Sequence, residues 1–217
     1  MIIHQFDQTN SVLNTFISEI RDVEIQKDAM RFRRNIERIG EVLAYELSKS
    51  LDYKETEVKT PFGTKKSFLS SDNLVLCSVL RAGLPLHHGI LSYFDRAENA
   101  FISAYRHHPN NDDAFEVIVK YFAAPSLDDK ILVLTDPMLA TGKTLENVFD
   151  ALKSHGTPKR IHIISVIGSK SGVAKVEKVF PKDTHLWIAA VDEHHTSKGY
   201  IIPGLGDAGD LSYGVKL

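Results

Sequence analysis

The sequence predicts an α/β fold: a mostly parallel sheet flanked by helices, with a β-hairpin arm projecting from it. Three observations carry this. Ile131-Leu132-Val133-Leu134 places four apolar residues in a row, the pattern of a strand covered on both faces rather than on one. Similar apolar runs at 74–80, 161–167 and 186–191 alternate with helical patterns, which implies parallel strands joined by helical crossovers. Finally, Arg81, Asp136 and Asp192 each stand at or just beyond the end of such a run. In an open parallel sheet, ligands bind beyond the carboxyl ends of the strands, so residues of special chemistry converge on one edge.

In chain order, Met30, Phe32, Ile36, Ile39, Val42, Leu43, Leu47 and Leu51 recur at a helical period with charges between them, predicting a long amphipathic helix. Pro61-Phe62-Gly63 is a turn between two short polar segments, hence the arm. Strands are expected at 74–80, 99–105, 115–122, 131–134, 161–167 and 186–191, and helices over 145–152 and 173–179. The stretch 106–113, rich in His, Asn and Asp, reads as a mobile loop. With no repeat, low-complexity tract or linker, residues 1–217 form one domain, its first 70 or so residues supplying N-terminal helices and the arm.

Composition narrows the function. The chain has 217 residues, 43% of them hydrophobic, enough for one sizeable core. Its 26 basic and 28 acidic residues leave a net charge of −2, which offers no basic field for a nucleic-acid partner. No apolar run reaches membrane-spanning length and no signal peptide is visible. Cys77, the single cysteine, reads as a buried reduced thiol. A cytoplasmic enzyme acting on small molecules fits these bounds. The pairs His87-His88, His107-His108 and His194-His195 do not make a metal site, because adjacent residues do not share a helix face and no third-ligand spacing supports zinc.

The densest signal is Asp136-Pro137-Met138-Leu139-Ala140-Thr141-Gly142-Lys143-Thr144, between a buried strand and a helical pattern. The unpaired N–H groups of a first helical turn and the helix dipole favour an anion there. Asp136 would repel a phosphate. It suits hydroxyls, such as those of a ribose, or a cation. A P-loop is excluded, because its first glycine would fall on Pro137. The second signal is Gly199-Tyr200-Ile201-Ile202-Pro203-Gly204-Leu205-Gly206-Asp207-Ala208-Gly209-Asp210. Four glycines in so short a span imply positive φ angles or close backbone approach to a ligand.

These two stretches closely resemble the phosphoribosyl-pyrophosphate (PRPP) loop and the base loop of the uracil phosphoribosyltransferases. Val79-Leu80-Arg81-Ala82-Gly83-Leu84-Pro85 resembles that family's pyrophosphate segment, and 33–47 its N-terminal helix. The resemblance spans nearly the whole chain. It implies a phosphoribosyltransferase-type sheet and the conversion of uracil and PRPP to UMP and pyrophosphate, with substrate-bound Mg²⁺ and a homodimer or higher homo-oligomer. It implies that Arg81, Arg106, residues 136–144 and Asp207 bind PRPP, with Asp136 catalytic. Ile201, Gly206, Asp207 and Ala208 would read uracil. The chain departs from the family pattern at Lys143 (usually Gly), Thr144 (usually Ser), Leu211 (usually basic) and Tyr121-Phe122-Ala123-Ala124-Pro125. These departures keep two rivals in view: a transferase for another nucleobase, and a catalytically weak regulator on the same fold.

Overall fold

A computed structural model describes residues 1–107 and 116–216, and only the backbone of 104–107 and 116–120. The chain begins with strand β1 (Ile2–Gln5) and helices α1 (Val12–Arg21) and α2 (Ala29–Ser48). Ser11 caps α1 through the Leu13 N–H, and Asp28 caps α2 through Met30 and Arg31, each satisfying donors that a first turn leaves unpaired. Then come β2 (Tyr53–Thr60) and β3 (Gly63–Ser70), which pair only with each other. This is the expected arm. Its register puts Thr60 opposite Gly63, so Pro61 and Phe62 form a two-residue turn.

Next follow β4 (Leu74–Leu80), α3 (Gly83–Leu91), β5 (Glu98–His107) and β6 (Glu116–Ala123). After them come β7 (Ile131–Thr135), the short β8 (Met138–Leu139) and α4 (Lys143–Leu152). The chain continues through β9 (Arg160–Ser169), α5 (Lys170–Val179) and β10 (His185–Asp192). It ends in β11 (His194–His195), β12 (Ile201–Ile202) and α6 (Ala208–Tyr213).

The sheet order is β1-β10-β9-β7-β4-β5-β6, with β8 added on β9, and every pairing except β5–β6 is parallel. Side chains alternate along a strand, so successive residues feed opposite layers. Ile131 and Val133 join the core beneath α1, α2 and α3, while Leu132 and Leu134 join Leu145, Val148 and Val176 of α4 and α5. This is why β7 is apolar throughout. α2 and α3 cross closely, since a Cβ on Gly89 would collide with the Glu37 carbonyl.

Several expectations shift. β1 was not anticipated; it is four residues long and adds an edge strand beside β10. β5 runs through Arg106 to His107, so the start of the expected loop is strand, and residues 108–115 lie outside those described. The 173–179 helix begins three residues earlier, at Lys170, where Ser169 caps it through the Gly172 N–H. Cys77 is buried as expected, and burial pushes its thiol up to about 12. Among the described residues no helix is long and apolar enough to cross a membrane.

Candidate active site

Parallel strands bring their carboxyl ends to one edge, and the loops after β4, β7 and β12 enclose a cleft there of about 340 Å³. Arg81, Asp136, Met138, Thr144, Gly206, Asp207 and Ala208 all line it. Leu139, Ala140, Thr141 and Gly142 instead line an adjoining small hollow at the start of α4. The motifs at 136–144 and 199–210 thus meet in space.

The loop at 136–144 is held mainly through its backbone. Ser165 Oγ donates to the Asp136 carbonyl at 2.7 Å, Val166 and Ile167 N–H groups both donate to the Pro137 carbonyl, and Ser169 Oγ donates to the Ala140 carbonyl at 2.6 Å. Met138 N–H donates to Asp136 Oδ1 at 3.2 Å, fixing the carboxylate at the mouth of β7. Behind it runs a buried polar chain: Thr135 Oγ1 to Ser78 Oγ, and Ser78 Oγ to His87 Nδ1, each 2.7 Å. Burial holds the His87 imidazole below its ordinary pKa.

No side chain caps α4, because Gly142 stands at its N-cap with φ +75°. An oxyanion in the hollow would take that place. Gly142 also lies against Lys175, whose Cγ would be 2.9 Å from an added Cβ. Lys143 is exposed at the first helical position and its N–H donates to Thr141 Oγ1 at 3.3 Å. Gly172 makes room for the loop, since a Cβ there would collide with the carbonyls of Leu139 and Ala140.

The second loop is held from a distance. Arg21 makes a fork onto Asp192, both N···O distances 2.8 Å, and also donates to the Gly204 carbonyl at 3.0 Å. The Gly204 N–H returns to Asp192 Oδ2 at 3.0 Å. Ile201 does not line the cleft; it is buried and pairs with His195. Gly199, Gly204 and Gly206 have positive φ, as the composition suggested. Gly209 does not. It sits inside α6, where Asp207 Oδ1 accepts from the Gly209 and Asp210 N–H groups at 2.8 and 3.0 Å. Asp207 is therefore a helix cap as well as a cleft residue, and Lys216 approaches its other oxygen at 3.5 Å.

Arg81 follows a cis peptide bond and donates to Asp210 Oδ1 at 3.0 Å and to the Gly214 carbonyl at 3.3 Å. It bridges the end of β4 to the 199–210 loop and the chain after it. Arg106 lies near the end of β5, and its side chain is outside the described residues. Sequence reasoning missed Tyr200, Ser103 and Lys216 at the cleft, and Arg21, Ser169 and Gly172 behind it. Tyr200 lies within the 199–210 motif but was not singled out; Arg21, Ser169 and Gly172 carry no motif, because each acts on a loop elsewhere in the sequence.

The adjacent histidines give no metal cluster among the described residues. Histidines separated in sequence also meet, on β1, β9 and β10. His4 Nε2 is 3.0 Å from His185 Nδ1, and Trp187 Nε1 donates to His162 Nδ1 at 3.0 Å. Burial, reinforced by the neighbouring His185, Arg160 and His4, pushes His162 down to about 3.

The family model for uracil phosphoribosyltransferase matches residues 8–215. The chain belongs to the uracil phosphoribosyltransferase family. It is 50% identical over 208 residues to a uracil phosphoribosyltransferase of Porphyromonas gingivalis, covering 96% of both chains. It is 41% identical over 189 residues to one of Methanothermobacter thermautotrophicus, covering 86% of this chain and 85% of that one. Among solved structures, the AQ2163 protein from Aquifex aeolicus superposes with a TM-score of 0.87 at 31% identity, covering both chains fully. A hypoxanthine phosphoribosyltransferase from Staphylococcus aureus shares the fold, at TM-score 0.50 and 15% identity over 86% of this chain and 84% of that one. This family membership fits a cleft built from a loop with an uncapped helix end and a loop of backbone groups.

Proposed function

We propose that this chain transfers the phosphoribosyl group of PRPP to uracil, giving UMP and pyrophosphate. The observation that carries this is the meeting of two loops in one cleft: Asp136 and the α4 end on one wall, Gly206 to Ala208 on the other. The 5′-phosphate occupies the α4 hollow, which places the ribose hydroxyls near Asp136. Uracil N1 bonds to ribose C1 as the bond from C1 to the pyrophosphate oxygen breaks, and the N1 proton passes to the departing pyrophosphate or to water. Positive charge builds on the sugar between, and the fixed Asp136 carboxylate opposes it. No nucleophilic side chain is required; catalysis is positioning plus electrostatics. Arg81, whose Nη2 now holds Asp210, takes pyrophosphate oxygens with its guanidinium, and Arg106 acts from β5.

The cleft carboxylates, Asp136 and Asp207, are oxygen donors. They fit Mg²⁺ carried mainly by the substrate's phosphates, because Mg²⁺ keeps several waters and takes only one or two protein carboxylates. When bound, it neutralises charge on the leaving pyrophosphate. We place the enzyme in the cytoplasm, in keeping with its single buried, reduced cysteine. We further propose a homodimer or higher homo-oligomer joined through the arm, where Phe62 in the turn and Phe68 and Leu69 on β3 are exposed. Sedimentation of the wild type against Phe62→Ser/Phe68→Ser tests it; an unchanged mass refutes the arm contact.

The base assignment has its own test. Uracil offers a donor at N3 and an acceptor at O4, and cytosine reverses both. Backbone groups of fixed polarity around Gly206 and Ala208 cannot rotate to suit the wrong base. The mismatch should cost on the order of 10⁴ in kcat/KM. Steady-state kinetics with both bases at saturating PRPP checks this, and comparable values would remove uracil as the substrate.

A further inference from the structure

We infer that Lys175 is a positioning residue for PRPP: it cancels the charge of Glu146 and so keeps the 5′-phosphate site receptive to a dianion. The inference rests on the phosphate reading of the 136–144 loop. Glu146 is in the first turn of α4, the turn that would hold the phosphate. A carboxylate at that place suits the bare helix, because it complements the dipole. Beside a bound phosphate the same charge is repulsive. Lys175 reaches across from α5, and its Nζ bonds Glu146 Oε1 at 2.8 Å. Its stem lies against Gly142, where an added Cβ would be 2.9 Å from Lys175 Cγ and 3.0 Å from its Cβ. Packing therefore holds the stem against the start of α4, and the Glu146 contact holds the ammonium beside its first turn. Both side chains are only partly exposed, 39% for Lys175 and 30% for Glu146, so solvent screens their charges incompletely.

The bland alternative is a brace that merely ties α5 to α4. Charge and brace make different predictions. Steady-state kinetics at varied PRPP and varied uracil should be run on Lys175→Ala, Glu146→Gln, Lys175→Arg and the Lys175→Ala/Glu146→Gln double variant. Loss of Lys175 should raise the PRPP KM about three- to tenfold, more at low salt than at high, with kcat and the uracil KM within about twofold. Glu146→Gln should restore the Lys175→Ala variant to near wild type, and Lys175→Arg should behave as wild type. An unchanged PRPP KM in Lys175→Ala, or a double variant as impaired as that single, overturns the inference and leaves a brace. Thr144→Val separates this from the phosphate reading. If Thr144→Val weakens PRPP while Lys175→Ala does not, only the role of Lys175 falls. If neither variant moves the PRPP KM, the phosphate reading falls with it.

Discussion

The two loops of the cleft are held in opposite ways. The 136–144 loop lies between β7 and α4 and is tied to the neighbouring β9 and the start of α5, through Ser165, Val166, Ile167, Ser169 and Gly172. Its supports come from one stretch of chain shortly downstream. The 199–210 loop is tied instead to Arg21, at the end of α1, and to Asp192, at the end of β10. Arg33 of α2 adds a bond to the Ser212 carbonyl at 2.6 Å, just after it. Thus the 136–144 wall is a product of the sheet and the chain just beyond it, whereas the 199–210 wall depends on one long-range ion pair and the hydrogen bonds around it. Damage to the first should show in kcat and PRPP, and damage to the second in uracil.

Asp136→Asn should give the largest effect. It removes the charge that opposes the developing cation while keeping an oxygen for the Met138 N–H, so kcat should fall about 10²-fold or more with little change in melting temperature. Near wild-type kcat would take Asp136 out of the chemistry and undo the contrast at its centre. Gly172→Ala comes next. Its methyl would collide with the carbonyls of Leu139 and Ala140, forcing the loop or α5 to move, at about 1–3 kcal/mol of stability. PRPP KM should rise roughly tenfold, since such misplacement degrades orientation. Thermal unfolding alongside PRPP titration checks it, and an unaffected PRPP KM would mean the loop is not braced by α5.

Arg21→Ala probes the other side. It strands Asp192, which is only 10% exposed, and frees the Gly204 carbonyl. Removing one partner of such a pair costs about 2 kcal/mol when part-buried, less than the fully buried case. The uracil KM should rise several-fold to about tenfold, in line with the loss of one charged hydrogen-bonded anchor, while the PRPP KM stays within about twofold. Equal effects on both substrates would show that the loops are one mechanical unit.

The same contrast explains what could be read from the sequence. β7, the helix after it and the acid between them are local: strand period, strand end and glycine turn lie in one run of residues. β4, β9 and β10 were visible for the same reason, as apolar stretches. β1 was hidden because Ile2 and Ile3 are a short edge pair, nearly half exposed, with too little periodicity to register. The anchoring of the base loop was hidden because Arg21 sits at the end of an ordinary amphipathic helix, and nothing nearby marks it as the partner of Asp192. Asp207 was visible as a cleft residue but not as the cap of α6, since its Asx bonds to Gly209 and Asp210 depend on where the helix starts. His4, His162 and His185 lie on three strands, so no spacing rule could join them.

Lys143 should matter least, although it is a departure from the family pattern inside the most recognisable motif. It occupies the first position of α4 and is exposed. What a phosphate needs from that position is its backbone N–H, which any residue except proline supplies. Lys143→Gly keeps that group, so kcat/KM for PRPP should stay within about threefold, the upper part of the range allowing for one screened charge near the site. Stability should drop by at most about 1 kcal/mol, because glycine loses more backbone freedom than lysine on entering a helix. The neighbouring residue gives the contrast. Thr144 lines both the cleft and the hollow, so Thr144→Val should impair PRPP use far more than Lys143→Gly. Kinetics on the two variants side by side sharpen the phosphate reading to single residues. A many-fold gain in activity for Lys143→Gly would instead mark the lysine as an obstruction at the phosphate site, and the wall of the cleft most legible in the sequence would carry a built-in brake.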